Sequence, residues 1–338
     1  MKLSVFDNPT EDRPKMALTL LLIGVFTLAF QDTLVKYITN YTTFWQFQTI
    51  RSAFIISIIL IVAQTTTGFK ILIPQNPFLV FLRSTMLAIC MFFFFGGAAH
   101  ITAAQMGAGL YTYPLFVTLL AGPLLGEKIG PIRLSALALG AIGSSALLNP
   151  FSEKFNLFQI MPIIAGLFYA FNIIILRKYC RTESPLTLVL AVSIVFFLFG
   201  IFGTSVIATF ELNQNLRDSV PFLFGRWPTL TLFIFIFCIV AACLNLLGNI
   251  CLSRAYQTAE SSWLAPLDFS YLLFLTIWAK IIFGAMPSSE ETIGMVCIVS
   301  AGVIITFREI HHNKSNQAKL EKEMGSPQVK KAQDFDKK

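Results

Sequence analysis

Ten apolar stretches follow one another along this chain, at 16–38, 44–63, 78–98, 101–124, 130–149, 157–176, 185–209, 230–251, 260–283 and 289–307. Each is about twenty residues long, enough to cross a bilayer core of ~30 Å as a helix. Inside hydrocarbon the backbone must satisfy its own polar groups, so such stretches become helices or a closed barrel, and runs of this length select helices. The sequence therefore predicts an all-α polytopic membrane protein with ten transmembrane helices. The last five stretches echo the first five. Five is odd, so the second set must lie in the membrane upside down relative to the first. The expected fold is two inverted five-helix repeats, 16–149 and 157–307. An N-terminal segment (1–15) precedes them, and a basic tail (308–338) follows.

The echo can be followed letter by letter. Tyr113-Pro-Leu-Phe-Val-Thr-Leu-Leu-Ala-Gly-Pro-Leu-Leu-Gly126 lies over Tyr271-Leu-Leu-Phe-Leu-Thr-Ile-Trp-Ala-Lys-Ile-Ile-Phe-Gly284, with six of fourteen positions identical. Gly143 in stretch five matches Gly302 in stretch ten with one inserted residue. Stretch one carries Ala29-Phe30-Gln31 and Lys36, and stretch six carries Ala170-Phe171-Asn172 and Arg177 at the same spacing. Three matches in the same order are the sign of an internal repeat.

Composition supports a chain built for lipid throughout: 55% of residues are hydrophobic and 13% charged, against about 25% charged in soluble domains. The first stretch is too long for the ~7–15 residue core of a cleaved leader, and no A-x-A site follows it. The six cysteines form no C-x-x-C pair, which argues against a metal site and a disulfide framework. A net charge of +7 could point to nucleic acid, but much of the excess lies in the tail, where basic residues beside a membrane set topology instead. With the N-terminus inside, eighteen Lys and Arg fall on cytoplasmic segments and only Lys154, Arg217 and Arg226 on outer loops. Both termini are therefore expected in the cytoplasm. The Lys-, Glu-, Gln- and Ser-rich composition from 308 onward predicts a disordered tail.

Charges inside the stretches are the clearest trace of function. Placing Asp, Lys or Arg at a helix centre costs roughly 2.5–3.5 kcal/mol on insertion scales, so such residues face a cavity or a partner. Six occur: Asp32, Lys36, Arg51, Arg83, Asp268 and Lys280. Lys36 and Lys280 lie near span ends and can snorkel, and Arg83 is close enough to one end to do the same. Arg51 lies about eight residues from the outer end of its stretch, ~12 Å at ~1.5 Å per residue, and Asp32 about six residues, ~9 Å. Similar depth allows an Asp32–Arg51 pair, structural or functional. Asp32 and Lys36, four apart, can instead pair along their own helix. Pro114 and Pro266 interrupt stretches four and nine, the repeat partners, and proline frees backbone carbonyls. Around them sit Tyr111 and Tyr113 in one case, and Trp263, Asp268 and Tyr271 in the other. Aromatic walls with a few polar groups suit a metabolite or an organic cation. Asn172, Asn245 and Asn249 are further polar candidates, equally explained by helix–helix hydrogen bonds.

At these residues the chain resembles the drug/metabolite transporter superfamily, specifically the bacterial ten-span type with two EamA domains. The resemblance is carried by Ala29-Phe-Gln-Asp-Thr-Leu-Val-Lys36, by Tyr113-Pro-Leu-Phe with Leu-Gly-Glu127-Lys128, and by Gly166-Leu-Phe-Tyr-Ala-Phe-Asn172 with Arg177-Lys178. It covers about residues 16–307. Within the superfamily the chain is most similar to the S-adenosylmethionine carriers, through Asp32 and Lys36, Arg51, Leu82-Arg83 and Ala265-Pro266. It departs from them at Gly284-Ala285, where they have Asn-Glu, and at Asp268, where they have Arg.

Inverted repeats with a charged interior are the architecture of secondary carriers, with the substrate near the midplane. The expected function is alternating-access transport of a small polar metabolite. Four basic and two acidic intramembrane residues suggest a zwitterionic, amino-acid-like ligand. Alternatives are a drug or organic-cation exporter of the same fold, an intramembrane enzyme, or a non-transporting receptor. No H-E-x-x-H, G-x-S-x-G or P-loop is present, which weighs against catalysis and intrinsic ATP drive. The candidate site is Asp32, Arg51, Arg83, Tyr111, Tyr113, Asn172, Asn249, Trp263, Asp268 and Tyr271. The expected partners are the small-molecule substrate, the lipid bilayer of the cell inner membrane and a coupling proton or ion. The reading leaves room for a homodimer and calls for no nucleic acid, metal or cofactor.

Overall fold

A computed structural model describes residues 14–125, 131–148, 155–180, 183–210, 214–258 and 267–324, and everything described is helix, turn or irregular, with no strand among these residues. We number the helices α1 (Pro14–Tyr37), α2 (Phe44–Val62), α3 (Pro77–Gly96), α4 (Ala103–Leu110), α5 (Tyr113–Leu125), α6 (Pro131–Leu148), α7 (Met161–Tyr179), α8 (Pro185–Thr209), α9 (Gln214–Ser219), α10 (Pro221–Phe224), α11 (Leu232–Thr258), α12 (Ser270–Phe283) and α13 (Ser289–Met324). Seven helical stretches, built on α1, α2, α3, α7, α8, α11 and α13, are long and apolar enough to cross a membrane.

The other three apolar stretches are helical as well, without forming single long helices among the described residues. Stretch four is divided into α4 and α5 by a turn at Tyr111-Thr112. The cause is Pro114, which cannot donate a backbone hydrogen bond back to the preceding turn and so sits in the first turn of a new helix. Stretch five is α6, whose apolar part is Leu134–Leu148. Stretch nine is described only from residue 267, and a turn at Phe269 precedes α12.

Local signals set the helix ends. Thr43 caps α2 by accepting from the Gln46 amide, and Asn76 caps α3 ahead of Pro77. Thr102 and Gln105 form a reciprocal capping box at α4, as do Asn156 and Gln159 just before α7. Each cap satisfies an amide that would otherwise be orphaned at a helix start. At the other end of α12, Gly284 closes the helix with φ +65°, a left-handed conformation open to glycine at little cost. The last helix runs on to Met324, past the expected boundary at 308. Lys, Glu, Gln, Ala and Leu dominate 314–324, and these are strong helix formers whether or not they have an apolar face to bury. Residues 325–338 lie outside the described residues.

The distribution of polarity is that of a membrane protein. Gln31, Gln46, Gln48, Arg51, Ser52 and Asn172 are buried, while Phe78, Phe202, Leu232 and Ile281 are exposed. Lipid solvates the apolar exterior, so amides and charges concentrate where other protein groups can meet them. The chain is an integral, multi-pass membrane protein.

The helices pack in definite pairs. α1 lies along α11, α3 along α7, α2 along α8, and α6 along α13. α1 also meets α12, α7 meets α4 and α5, α3 meets α8, α11 meets α2, and α4 meets α12. Small residues set the tightest crossings. A Cβ on Gly24 would stand 3.0 Å from the Gly248 carbonyl across α1 and α11, and one on Gly143 would stand 2.9 Å from the Gly294 carbonyl across α6 and α13. In α8, a Cβ on Gly203 would come within 2.1 Å of the Trp45 ring. Trp45 in turn donates its indole N–H to the Leu223 carbonyl at 2.7 Å, holding the short helix α10 against α2. Gly203→Leu is therefore expected to displace the indole and destabilise the bundle by about 1–3 kcal/mol, the usual cost of overpacking a tight contact. Phe202→Leu, on the exposed face of the same helix, is the control. Thermal unfolding in detergent measures both, and equal midpoints for the two variants would rule out the α2–α8 contact as a stabilising one.

Candidate functional site

The interior polar groups are held by helices from all parts of the chain. Asp32 lies on α1, Arg51 on α2, Arg83 on α3, Tyr111 and Tyr113 at the α4–α5 turn, Tyr169 and Asn172 on α7, Asn245 and Asn249 on α11, and Asp268 and Tyr271 about the turn before α12. The two turns are in register in the repeat. The alignment that sets Tyr113 over Tyr271 sets Tyr111 over Phe269, so the breaks coincide to within a residue although the prolines are six positions apart. Sequence reading placed the interruption at each proline. Pro266 lies outside the described residues, and the turn at Phe269 comes three residues later.

The turns touch one another through rings and hydrogen bonds. Tyr111 and Tyr271 stack with centroids 5.2 Å apart and an 18° interplanar angle. Tyr111 also packs on Phe269 at 5.3 Å and on Tyr113 at 5.8 Å, and Tyr113 meets Tyr169 edge-on at 4.9 Å. The Tyr111 hydroxyl donates to the main-chain carbonyl of Asp268 at 3.0 Å. A carbonyl beside a helix break lacks its usual intrahelical donor, and in lipid such a group needs another. A side chain from the opposite break supplies it here. The Asp268 side chain lies near Tyr111 and Tyr113.

Tyr271 extends the chain of contacts to α1. Its hydroxyl donates to Asp32 Oδ2 at 2.6 Å, while the Gln31 amide donates to Asp32 Oδ1 at 2.9 Å. Gln31 Oε1 accepts from Asn245 Nδ2 at 2.8 Å, and Asn249 Nδ2 donates to the Asn245 carbonyl at 2.8 Å. The hydrogen bonds run from Asn249 through Asn245, Gln31 and Asp32 to Tyr271, whose ring stacks on Tyr111.

Neither pairing considered for Asp32 is made through direct hydrogen bonds. Arg51 is electrostatically coupled to Asp32, but its Nη2 donates to Gln48 Oε1 at 2.6 Å and its guanidinium lies over Phe47 and Phe196 at 5.0 and 5.5 Å. Its Nε, with Gln48 Nε2, has no partner among the described residues. Lys36 turns away from Asp32 and donates to the carbonyls of Ala98 and Ile101, the latter at 2.6 Å. Those carbonyls follow the end of α3, where helical acceptors are orphaned. Lys36 is thus tied into the protein instead of reaching for solvent. Lys280 is exposed.

The remaining candidates stand further off. Arg83 lies near Tyr169, midway along α7, and Cys180 just after it. Burial raises the Cys180 thiol above its ordinary range while Arg83 pulls the other way, so this cysteine is no ready nucleophile. Asn172 is buried and its Oδ1 has no partner among the described residues. No hydrogen bond joins it to the tyrosine cluster. Trp263 lies outside the described residues. The described residues hold no group of three or more His, Cys, Asp or Glu placed to bind a metal.

Sequence reading passed over Gln31, Gln48 and Tyr169 as site residues. Two left a signal. Gln31 occupies the repeat position of Asn172, and Gln48 sits three residues before Arg51 on the same helix face. Tyr169 has no repeat partner of its own kind and left none.

Comparison with known proteins finds likenesses to proteins named as transporters. Residues 15–149 match the EamA-like transporter family. A riboflavin transporter of Vibrio cholerae is 28% identical over 198 residues, 58% of this chain and 60% of the relative. An S-adenosylmethionine uptake transporter of Rickettsia bellii is 24% identical over 85% of this chain and 92% of its own. The pseudopaline exporter CntI of Pseudomonas aeruginosa is 22% identical over 87% of this chain and 97% of its own. A solved crystal structure of 16% sequence identity superposes with a TM-score of 0.56 over 85% of this chain and 97% of the other, a likeness of fold. Aligned to the riboflavin transporter, this chain spans about 60% of the relative's length. Over residues 15–149 the chain is similar to the EamA-like transporter family, and proteins named as transporters of small molecules are among its relatives.

Proposed function

We propose that this chain is a secondary transporter, not an enzyme, and that it moves a small polar metabolite across the cell inner membrane by alternating access. Ten spans form two inverted repeats, 16–149 and 157–307, each EamA-like, with both termini in the cytoplasm. Support for the repeat reading comes from the packing pairs. Number the spans in chain order and exchange each with its equivalent five later. The α1–α11 pair then becomes α7–α3, α1–α12 becomes α7 with α4 and α5, and α3–α8 becomes α11–α2. The α2–α8, α6–α13 and α4–α12 pairs map onto themselves. A pseudo-two-fold axis in the membrane plane has this consequence.

The single observation that carries the functional reading is the contact chain Asp32–Tyr271–Tyr111–Asp268, which joins α1 to both broken spans. Interrupted helices in corresponding spans mark substrate sites in transporters. Of the intramembrane cations, Lys36 is engaged by backbone carbonyls and Lys280 is exposed. Arg51 and Arg83 are left to balance Asp32 and Asp268. Two charges of each sign, walled by tyrosines, favour a zwitterionic ligand such as an amino-acid derivative. Relatives named for riboflavin, S-adenosylmethionine and pseudopaline support a metabolite of this size class. The tyrosines and two aspartates also keep an organic cation as the second reading.

Uptake into proteoliposomes from a panel of radiolabelled riboflavin, S-adenosylmethionine, amino acids and a quaternary ammonium tests this. Arg51→Ala and Asp268→Asn, at matched expression, are expected to cut uptake of the accepted compound roughly 10–100-fold. That range corresponds to losing a charge-assisted hydrogen bond of about 1.5–3 kcal/mol. Undiminished uptake in both variants would remove the site assignment. Accessibility tags at 150–156 and at 177–184 are expected to report opposite sides of the membrane, and tags reporting a common side would end the inverted arrangement.

A further inference from the structure

We propose that Asp32 is the proton-binding residue of the transport cycle, with Tyr271 as the group that senses its charge. This goes beyond the transport reading, on which it rests, by naming the coupling ion and the residue that carries it. The argument begins with what surrounds the carboxylate. A carboxylate in the membrane interior needs either a cation or a proton to offset the cost of its charge. Asp32 has no cation in hydrogen-bond contact. Its oxygens accept from two neutral donors, the Tyr271 hydroxyl and the Gln31 amide.

Those donors differ in what they allow. Gln31 is fixed as a donor towards Asp32, because its own oxygen accepts from Asn245. Tyr271 is free to change role, since a hydroxyl both donates and accepts. When a proton binds Oδ2, a new O–H bond forms there and points at the tyrosine oxygen. The Tyr271 hydroxyl then accepts, and its own hydrogen turns away. No other group must ionise, and the charge balance is that of one proton taken from solvent. Asp32 is only partly enclosed by protein.

The other titratable and polar groups around Asp32 leave it as the group that changes. Arg51 from α2 is coupled through space but held by Gln48, Phe47 and Phe196. Cys90 from α3 and Cys238 from α11 are neighbours of Asp32 and Arg51 respectively. Asn245 from α11 is neutral and committed to Gln31. Lys36 on the same helix is bound to carbonyls at its own end. On the side of α12, Tyr271 is the direct contact and Asp268 lies behind it, beyond the Tyr111 ring. Because Tyr271 stacks on Tyr111, and Tyr111 holds the Asp268 carbonyl, a change in Tyr271 is felt at both broken spans. Protonation thereby loosens the tie between α1 and the elements that a rocking motion must separate.

The test uses the full chain in lipid nanodiscs and needs no substrate. Infrared difference spectra are recorded between acidic and alkaline buffer. The expected result is a protonated-carboxyl band that is lost in Asp32→Asn, retained in Asp268→Asn and retained in Asp32→Glu. In Tyr271→Phe, which removes no carboxyl, the band is expected to remain with a displaced midpoint. Persistence of the whole band in Asp32→Asn, or an undisplaced midpoint in Tyr271→Phe, would overturn the proposal. The Tyr271→Phe result decides the matter if Asp32→Asn does not fold. For the panel compound that the wild type accepts, uptake with an imposed proton gradient is then compared with uptake without one. The ratio is expected to exceed one in the wild type and in Asp32→Glu, and to fall to one in Asp32→Asn; an undiminished ratio in Asp32→Asn also overturns the proposal. Absence of uptake for every compound counts against the transport reading alone, since the infrared titration still decides Asp32.

Discussion

A polar group inside lipid must find its partner within the protein, and most of the interior of this chain follows from that rule. At the α4–α5 break and the turn before α12 the helical ladder is interrupted, and an interrupted ladder leaves carbonyls without donors. The protein answers at the second of these with a side chain from elsewhere, Tyr111 for the Asp268 carbonyl, and Lys36 likewise serves carbonyls of the α3–α4 connection. Each answer spans two elements distant in sequence, so satisfying the backbone also fastens the helices together. The hydrogen-bond chain from Asn249 to Tyr271 extends the same logic to side chains.

Close approach is the second requirement. Hydrophobic burial provides little net attraction between helices when lipid is as apolar as leucine, so contact depends on fit. Gly24 against Gly248 and Gly143 against Gly294 bring backbones together, while Gly203 makes room for an indole instead. The Trp45 ring thus serves two purposes. It fills the α8 notch and, through its N–H, holds α10 near the start of α2.

Charge is divided between structure and site in a way that spacing does not announce. Lys36 and Asp32 are four residues apart on one helix, a natural pair, yet Lys36 serves backbone carbonyls and Asp32 takes neutral donors. Arg51 is deep enough to meet Asp32 and is instead clasped by Gln48 and two rings. Asp32 is left with neutral hydrogen-bond partners, and the Arg51 Nε has none among the described residues.

Much of this was legible in the sequence. Runs of about twenty apolar residues require helices in a membrane whatever the neighbours do, and capping residues such as Thr43 and Thr102 act within one turn of themselves. The charges at 32, 51, 83 and 268 are equally visible, because their insertion cost makes them conspicuous. The partners were not visible. The depth of Asp32 and Arg51 is a property of each helix alone, but a hydrogen bond depends on how helices rotate about their axes, which only packing decides. For the same reason the contacts of Gln31 with Asn245 and of Tyr169 with Tyr113 came from tertiary structure. The helix beyond 308 reflects the propensity of Lys, Glu and Ala to stay helical, which the lack of an apolar core in the composition does not report. The sequence by itself determined that this chain lives in lipid as helices carrying buried charge. The tertiary structure decided which neighbour each charge faces, since side-chain contacts between distant segments arise only when helices are set against one another.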